Sequence, residues 1–222
     1  MMKRELIARI LSCLLVVTMI VTLAACDRAD DTKNAQTEEK QESGKILIAY
    51  FTAAENSGVD AVSSASYTTI GGTAVGRLRA VADMIQENTD GDLFSIQTAV
   101  VYPSDGGELI DYAAEEQDEN ARPELTSHIE DLDQYGTIFV GFPTWWYDMP
   151  QALYSFFDEY DFSGKTIIPF NVHNGSRFSG TIDTIKELEL DATVVEDGFT
   201  VSERDVAEAS EDVAEWLNGL GY

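Results

Sequence analysis

Beyond its first 26 residues the chain has no cysteine, and it has only two histidines in all. Cys13 and Cys26 both fall within that first stretch, so the rest of the chain excludes disulfides and cysteine-based metal sites. His128 and His173 stand in separate segments, with no HExxH or comparable spacing. That argues against a zinc centre, and no metal is expected. Basic residues are scarce too: 14 Lys and Arg against 40 Asp and Glu give a net charge of −26. Nucleic-acid binding needs clustered Lys and Arg, and flat docking on an anionic lipid surface needs the same. This chain offers neither. An acidic surface keeps a protein soluble and steers positive partners toward it, or it only reflects solvated faces. No activated nucleophile, catalytic triad or acid–base pair is evident, so no catalytic residue is assigned.

What is present reads as a leader, a tether and one domain. The composition is globular, 44% hydrophobic and 10% aromatic, with length for one ordinary domain. Lys3, Arg4 and Arg9 precede the apolar run Ile10 to Ala25, which is too short for a comfortable membrane span. The run ends in Leu23-Ala24-Ala25-Cys26, which looks like a bacterial lipobox. Residues 1–25 are thus expected to be a lipoprotein signal peptide, and Cys26 the lipidated residue. Residues 26–44 are polar and without apolar period, as in a flexible tether. The domain would span 45–222, held by its lipid alone on the extracytoplasmic face of the cell membrane. An ordinary signal peptide or an uncleaved anchor is the alternative.

From Lys45 strand-like and helix-like segments alternate. Lys45 to Phe51 is a short apolar run, as expected of a strand buried on both faces. Further strands are expected over Asp92–Thr98, Gly136–Phe142, Thr166–Phe170 and Ala192–Glu196, although Pro169 weakens the fourth as a central strand. Helical spacing covers Thr73–Gln86, Gly107–Asn120, a segment starting near Pro150, Ser179–Leu188 and Ser202–Leu217, the last with Ser202 as N-cap. Five βα units without repeats predict a parallel sheet with helices on both faces. Residues 53–72 break the rhythm as a long insertion in the first βα loop, where two to six residues are usual.

The most telling stretch is Gly141-Phe142-Pro143-Thr144-Trp145-Trp146-Tyr147-Asp148-Met149-Pro150. Three consecutive aromatics should sit at the carboxyl end of a strand, the edge where open α/β sheets bind ligands. A flat ligand stacked there is the natural reading. Taken with Ile46 to Phe51, Gly164 to Phe170 and Glu115-Glu116-Gln117-Asp118-Glu119-Asn120-Ala121-Arg122-Pro123, this stretch resembles flavodoxin-like proteins, in a bacterial branch that includes secreted lipoproteins. The resemblance covers about Lys45 to Gly219. It implies an α/β three-layer flavodoxin-like fold, a five-stranded parallel sheet in the order 2-1-3-4-5. It also implies flavin mononucleotide (FMN) bound by three loops.

In the first loop, Thr52 matches a phosphate-binding hydroxyl position. Glu55 departs from the pattern, because it would repel a phosphate. The pattern resumes after the insertion at Gly76-Arg77-Leu78, where Arg77 either replaces a lost hydroxyl with charge-assisted bonds or is an ordinary helix-surface residue. In the second, Pro143, Thr144 and the backbone of Trp145, Trp146 and Tyr147 would line the flavin edge. Trp146 or Tyr147 would stack on its face, while Trp145 reads as a core plug. In the third, His173, Gly175 and Ser176 would meet the other edge. His173 is either a donor to flavin or substrate, or a structural residue fixing the turn; Arg177 would face an anionic substrate group. The implied function is electron transfer, or reduction of a small acceptor such as a quinone, with an unidentified redox partner. A binding or scaffolding lipoprotein that kept the fold and lost the cofactor is the alternative.

Overall fold

The computed structural model describes residues 44–57, 67–103 and 105–222. The leader, residues 26–43 of the tether with Cys26, residues 58–66 of the insertion and Ser104 lie outside the described residues. In chain order come β1 (Lys45–Tyr50), α1 (Ala53–Ser57), β2 (Tyr67–Ile70), β3 (Thr73–Gly76), α2 (Arg77–Thr89), β4 (Asp92–Ser95) and α3 (Gly106–Asp118). Then follow β5 (Tyr135–Pro143), α4 (Gln151–Glu159), β6 (Thr166–His173), α5 (Thr181–Leu188), β7 (Thr193–Val194), β8 (Phe199–Ser202) and α6 (Ser210–Leu220).

The main sheet runs β4-β1-β5-β6, with both β7 and β8 paired to the far edge of β6, all parallel. Counting β7 and β8 as one interrupted strand, this is the order 2-1-3-4-5. Alternation along the strands divides the core in two. Leu47, Ala49, Ile138, Val140 and Phe142 face α3, α4 and α5. Ile48, Tyr50, Phe139, Phe170 and Val172 face α2 and α6. α2 earns its place by spacing, burying Leu78, Val81, Ala82 and Ile85. α3 is capped by Asp105, whose carboxylate accepts from the N–H groups of Gly107 and Glu108.

Four segments differ from the expectation. The part of the insertion that is described is ordered secondary structure: α1, then a hairpin of β2 and β3 closed by Gly71 and Gly72 at φ 57° and 85°. Paired glycines with positive φ are what a two-residue hairpin turn requires. β-branched Thr73 and Val75 consequently belong to a strand, and the helix begins at Arg77 rather than Thr73. The fifth strand is split, and the last helix begins at Ser210. Ser202 is the end of β8, not an N-cap. Pro169 is central after all, and it accounts for the split. Ile167 accepts from Val195 N–H on the outer side, so Pro169, two residues on, turns the same way. Its absent N–H therefore faces the gap between β7 and β8, where no ladder bond is required.

Candidate functional site

All strands of the main sheet are parallel, so the loops that follow β1, β5 and β6 meet along one crest. After β5, Pro143 is in register with Val172, and Thr144 N–H donates to Val172 O at 3.1 Å. Trp145 and Asp148 then exchange both backbone bonds, at 2.8 and 2.9 Å. Trp146 and Tyr147 between them have φ of 47° and 65°, the signature of a type I′ turn, which normally favours Asn-Gly. Two aromatic residues in this conformation are strained, on the order of 1 kcal/mol each. The strain holds both rings outward, with Trp146 49% and Tyr147 72% exposed. Trp146 is further fixed by its indole N–H, which donates to Ile110 O of α3 at 2.8 Å. Trp145 points the other way. It is buried, and packs edge-to-face on Phe51 and Tyr102 at 5.7 and 5.8 Å.

The second and third loops are tied by one buried amide. Asn171 Nδ2 donates to Thr144 Oγ1 at 2.5 Å and to Arg177 O at 2.8 Å, and the Thr144 hydroxyl donates to the same carbonyl at 2.7 Å. This knot holds a loop with Gly175 at φ 105°, Arg177 at 54° and Ser179 at 51°. His173 Nδ1 accepts from Gly175 N–H at 2.8 Å. The imidazole proton therefore sits on Nε2 in the neutral ring. Burial, then the Arg177 charge, pushes its pKa below the ordinary histidine value, so near neutral pH Nε2 is an N–H donor on a neutral ring. Ser176 is half-buried beside it, and the Arg177 side chain is exposed.

The first loop brings Thr52 and Gly76 together across the hairpin. A Cβ on Gly76 would lie 3.3 Å from Thr52 Oγ1, so the close approach depends on glycine. Arg77 turns away to Glu203, after β8, at 3.2 Å. Glu55 is held in place. Tyr50 O–H donates to its carboxylate at 3.0 Å, Ser95 O–H donates to the same group, and Arg79 Nη1 lies 3.9 Å off. Arg79 Nη1 donates to Tyr50 Oη at 3.0 Å, and Nε to Asp83 at 2.6 Å. Burial, then the Glu55 charge, pushes the Tyr50 pKa up to about 12. Glu55, Arg79, Asp83, Ala54, Ala74, Val75 and Gly76 line a cavity of about 410 Å³.

The two ends of this crest fit the implied flavin differently. The second and third loops fit a flat ring: they carry exposed rings, a neutral N–H donor, and two buried polar atoms with no partner, Trp145 Nε1 and Asn171 Oδ1. The first loop is a poorer fit to a phosphate, because the Tyr50 and Ser95 hydroxyls are directed at the Glu55 carboxylate, Arg79 is divided between Asp83 and Tyr50, and Arg77 donates to Glu203. Sequence reasoning misses Asn171, although a polar residue interrupting a buried strand is its signal. Nothing local signals that Glu55 is bound by Ser95, which is 40 residues away, and the bond from Tyr50, five residues back, follows no regular helix or strand spacing. Among the described residues, no group of three or more His, Cys, Asp or Glu is placed to hold a metal ion.

A family model described as flavodoxin matches residues 65–220. A provisionally assigned flavoprotein from Bacteroides uniformis superposes with a TM-score of 0.61 at 26% identity, over 80% of this chain and 99% of that one. A second such protein, from Bacteroides eggerthii, gives 0.55 at 25% identity, over 77% and 98%. A Lactobacillus acidophilus flavoprotein, solved in complex with FMN, gives 0.53 over 74% and 97%; at 16% identity that likeness is one of fold alone. No curated protein sequence matches the chain.

Proposed function

This chain belongs to the flavodoxin family, and we propose that it binds FMN noncovalently at the crest and acts in electron transfer or in the reduction of a small acceptor. The observation that carries this reading is the strained Trp146–Tyr147 turn, presented outward above the strand ends and locked to the third loop through Asn171 and Thr144. A bound flavin would supply the redox chemistry, and the protein would bind, orient and tune it. Trp146 and Tyr147 would offer faces for stacking, worth on the order of 1 kcal/mol beyond area burial. Ser176 and the neutral His173 Nε2–H would offer donors along one edge, with the Gly175 N–H holding the imidazole in that tautomer. Trp145 would back the turn from within the core. The match of the flavodoxin family model and the FMN held by a protein of the same fold support the choice of ligand.

The same proposal includes lipid attachment at Cys26 after removal of residues 1–25, with residues 26–44 as the tether on the extracytoplasmic face. Its support is the n-region, apolar run and Leu23-Ala24-Ala25-Cys26 sequence. No helix among the described residues is long and apolar enough to cross a membrane. Radiolabelled palmitate should enter the chain and be lost in Cys26→Ser; a soluble, unlipidated secreted form would defeat the anchor. For the cofactor, the full chain reconstituted with FMN and desalted should retain flavin absorbance. No binding at roughly tens of micromolar FMN would sink the flavin reading.

A further inference from the structure

Given the flavin reading, on which this inference rests, the open point is which part of the ligand the protein recognises. The cavity between α1, β3 and α2 is lined by Ala54, Glu55 and Gly76 of the first loop, the loop to which the resemblance assigns the phosphate end of a flavin. A phosphate monoester needs charge-assisted donors in such a place. Here four side-chain donors at or beside the cavity are tied to the chain's own carboxylates, directly or through Tyr50. Tyr50 O–H and Ser95 O–H both donate to Glu55, and Arg79 is divided between Tyr50 and Asp83. Arg77 donates to Glu203. The start of α2 thus sees three carboxylates, Glu55, Asp83 and Glu203, against two guanidinium groups.

We infer that this protein recognises its flavin by the ring, and that Glu55 is a built-in anion which cancels the advantage of the phosphate. Riboflavin and FMN are then ligands of similar affinity. A phosphate entering the cavity must compete with Glu55 for Tyr50, Ser95 and Arg79, and it meets a like charge. Glu55, Arg79 and Asp83 are 27%, 38% and 39% exposed, so solvent screens part of that repulsion. The effect is therefore on the order of tenfold in affinity, not a complete block.

Fluorescence titrations of the full chain with riboflavin and with FMN, at one fixed ionic strength, test this. The two dissociation constants should lie within about tenfold of each other. Glu55→Gln, whose amide oxygen still accepts from Tyr50 and Ser95, should tighten FMN by about tenfold and leave riboflavin unchanged. Asp83→Asn, which releases Arg79, should shift FMN in the same direction. A wild-type preference for FMN of about a hundredfold overturns the inference, and so does an FMN-to-riboflavin ratio that both substitutions leave within about twofold. If neither flavin binds the wild-type chain, the flavin reading itself fails, which is a separate and recognisable result.

Discussion

Gly141 shows how tightly single residues are specified in the middle of this sheet. It stands in register with Tyr50 on one side and Phe170 on the other. A Cβ there would fall 2.1 Å from Phe170 Cζ and 2.3 Å from Cε2. The Phe170 ring is fully buried in the layer shared with α2 and α6, so it has nowhere to retreat. Gly141→Ala should therefore destabilise the fold by about 2–3 kcal/mol through overpacking. A urea midpoint indistinguishable from wild type would show that the ring can move. In the sequence, Gly141 reads only as the start of a turn. The need for glycine comes from a ring on the neighbouring strand β6, far along the chain, and no local pattern could announce it.

At the scale of elements, the crest turn trades stability for presentation. Residues 145–148 form a hairpin turn whose two central positions demand positive φ, and both are filled by aromatics. Replacing Tyr147 by glycine removes the steric cost at that position while losing little packing, because the side chain is largely exposed. After allowing for the entropy glycine loses on folding, Tyr147→Gly should stabilise the fold by about 0.5–1 kcal/mol. It should also weaken flavin binding severalfold, since a stacking face is lost. Thermal unfolding and flavin titration of the same sample read the two effects, and a lower melting temperature would mean that the turn carries no strain. The position of this turn is legible in the sequence, because prolines at 143 and 150 and an apolar strand frame it. Its conformation is not: type I′ geometry is imposed by the Trp145–Asp148 backbone pairing and by the anchor from Trp146 to α3. The β2–β3 hairpin escapes sequence reasoning for a related reason. Gly71-Gly72 reads as loop punctuation there, yet it is a turn between two short strands whose pairing only the fold reveals.

Across the whole molecule, two carboxyl groups with raised pKa values make the largest expected contribution to pH dependence above about pH 5. Glu116 is buried in α3 with Tyr102 Oη 3.3 Å from both of its oxygens, and burial pushes its pKa up to about 7. Glu189 is pushed up to about 7 by burial, then by the charges of Asp161 and Asp158. Both values lie above those of an unfolded chain, so both groups favour the native state when protonated. Their contribution is complete below the unfolded value near 4.5 and is lost as the pH rises through 7. These two groups should thus lower stability between about pH 5 and pH 8, against a smaller opposite contribution from His173, whose depressed pKa favours the fold as pH rises. Glu116→Gln should remove on the order of 2–3 kcal/mol of the fall. Urea unfolding at a series of pH values measures it, and a variant with the wild-type slope would clear Glu116 of the role.

Several features follow from the sequence alone. The alternation of apolar strands with helically spaced segments such as α2 specifies an α/β domain with a parallel sheet, because those signals are local and periodic, and the absence of cysteine beyond residue 26 excludes disulfides there. The aromatic stretch marks the ligand edge for the same reason. Only the tertiary structure decides what each loop can bind. It turns Trp145 inward and Trp146 and Tyr147 outward, and ties Thr144 to Asn171. It also pairs Arg77 with Glu203 and places Glu55 among Tyr50, Ser95 and Arg79. Most of those contacts join residues far apart in the chain, where packing and charge, not spacing, choose the partner.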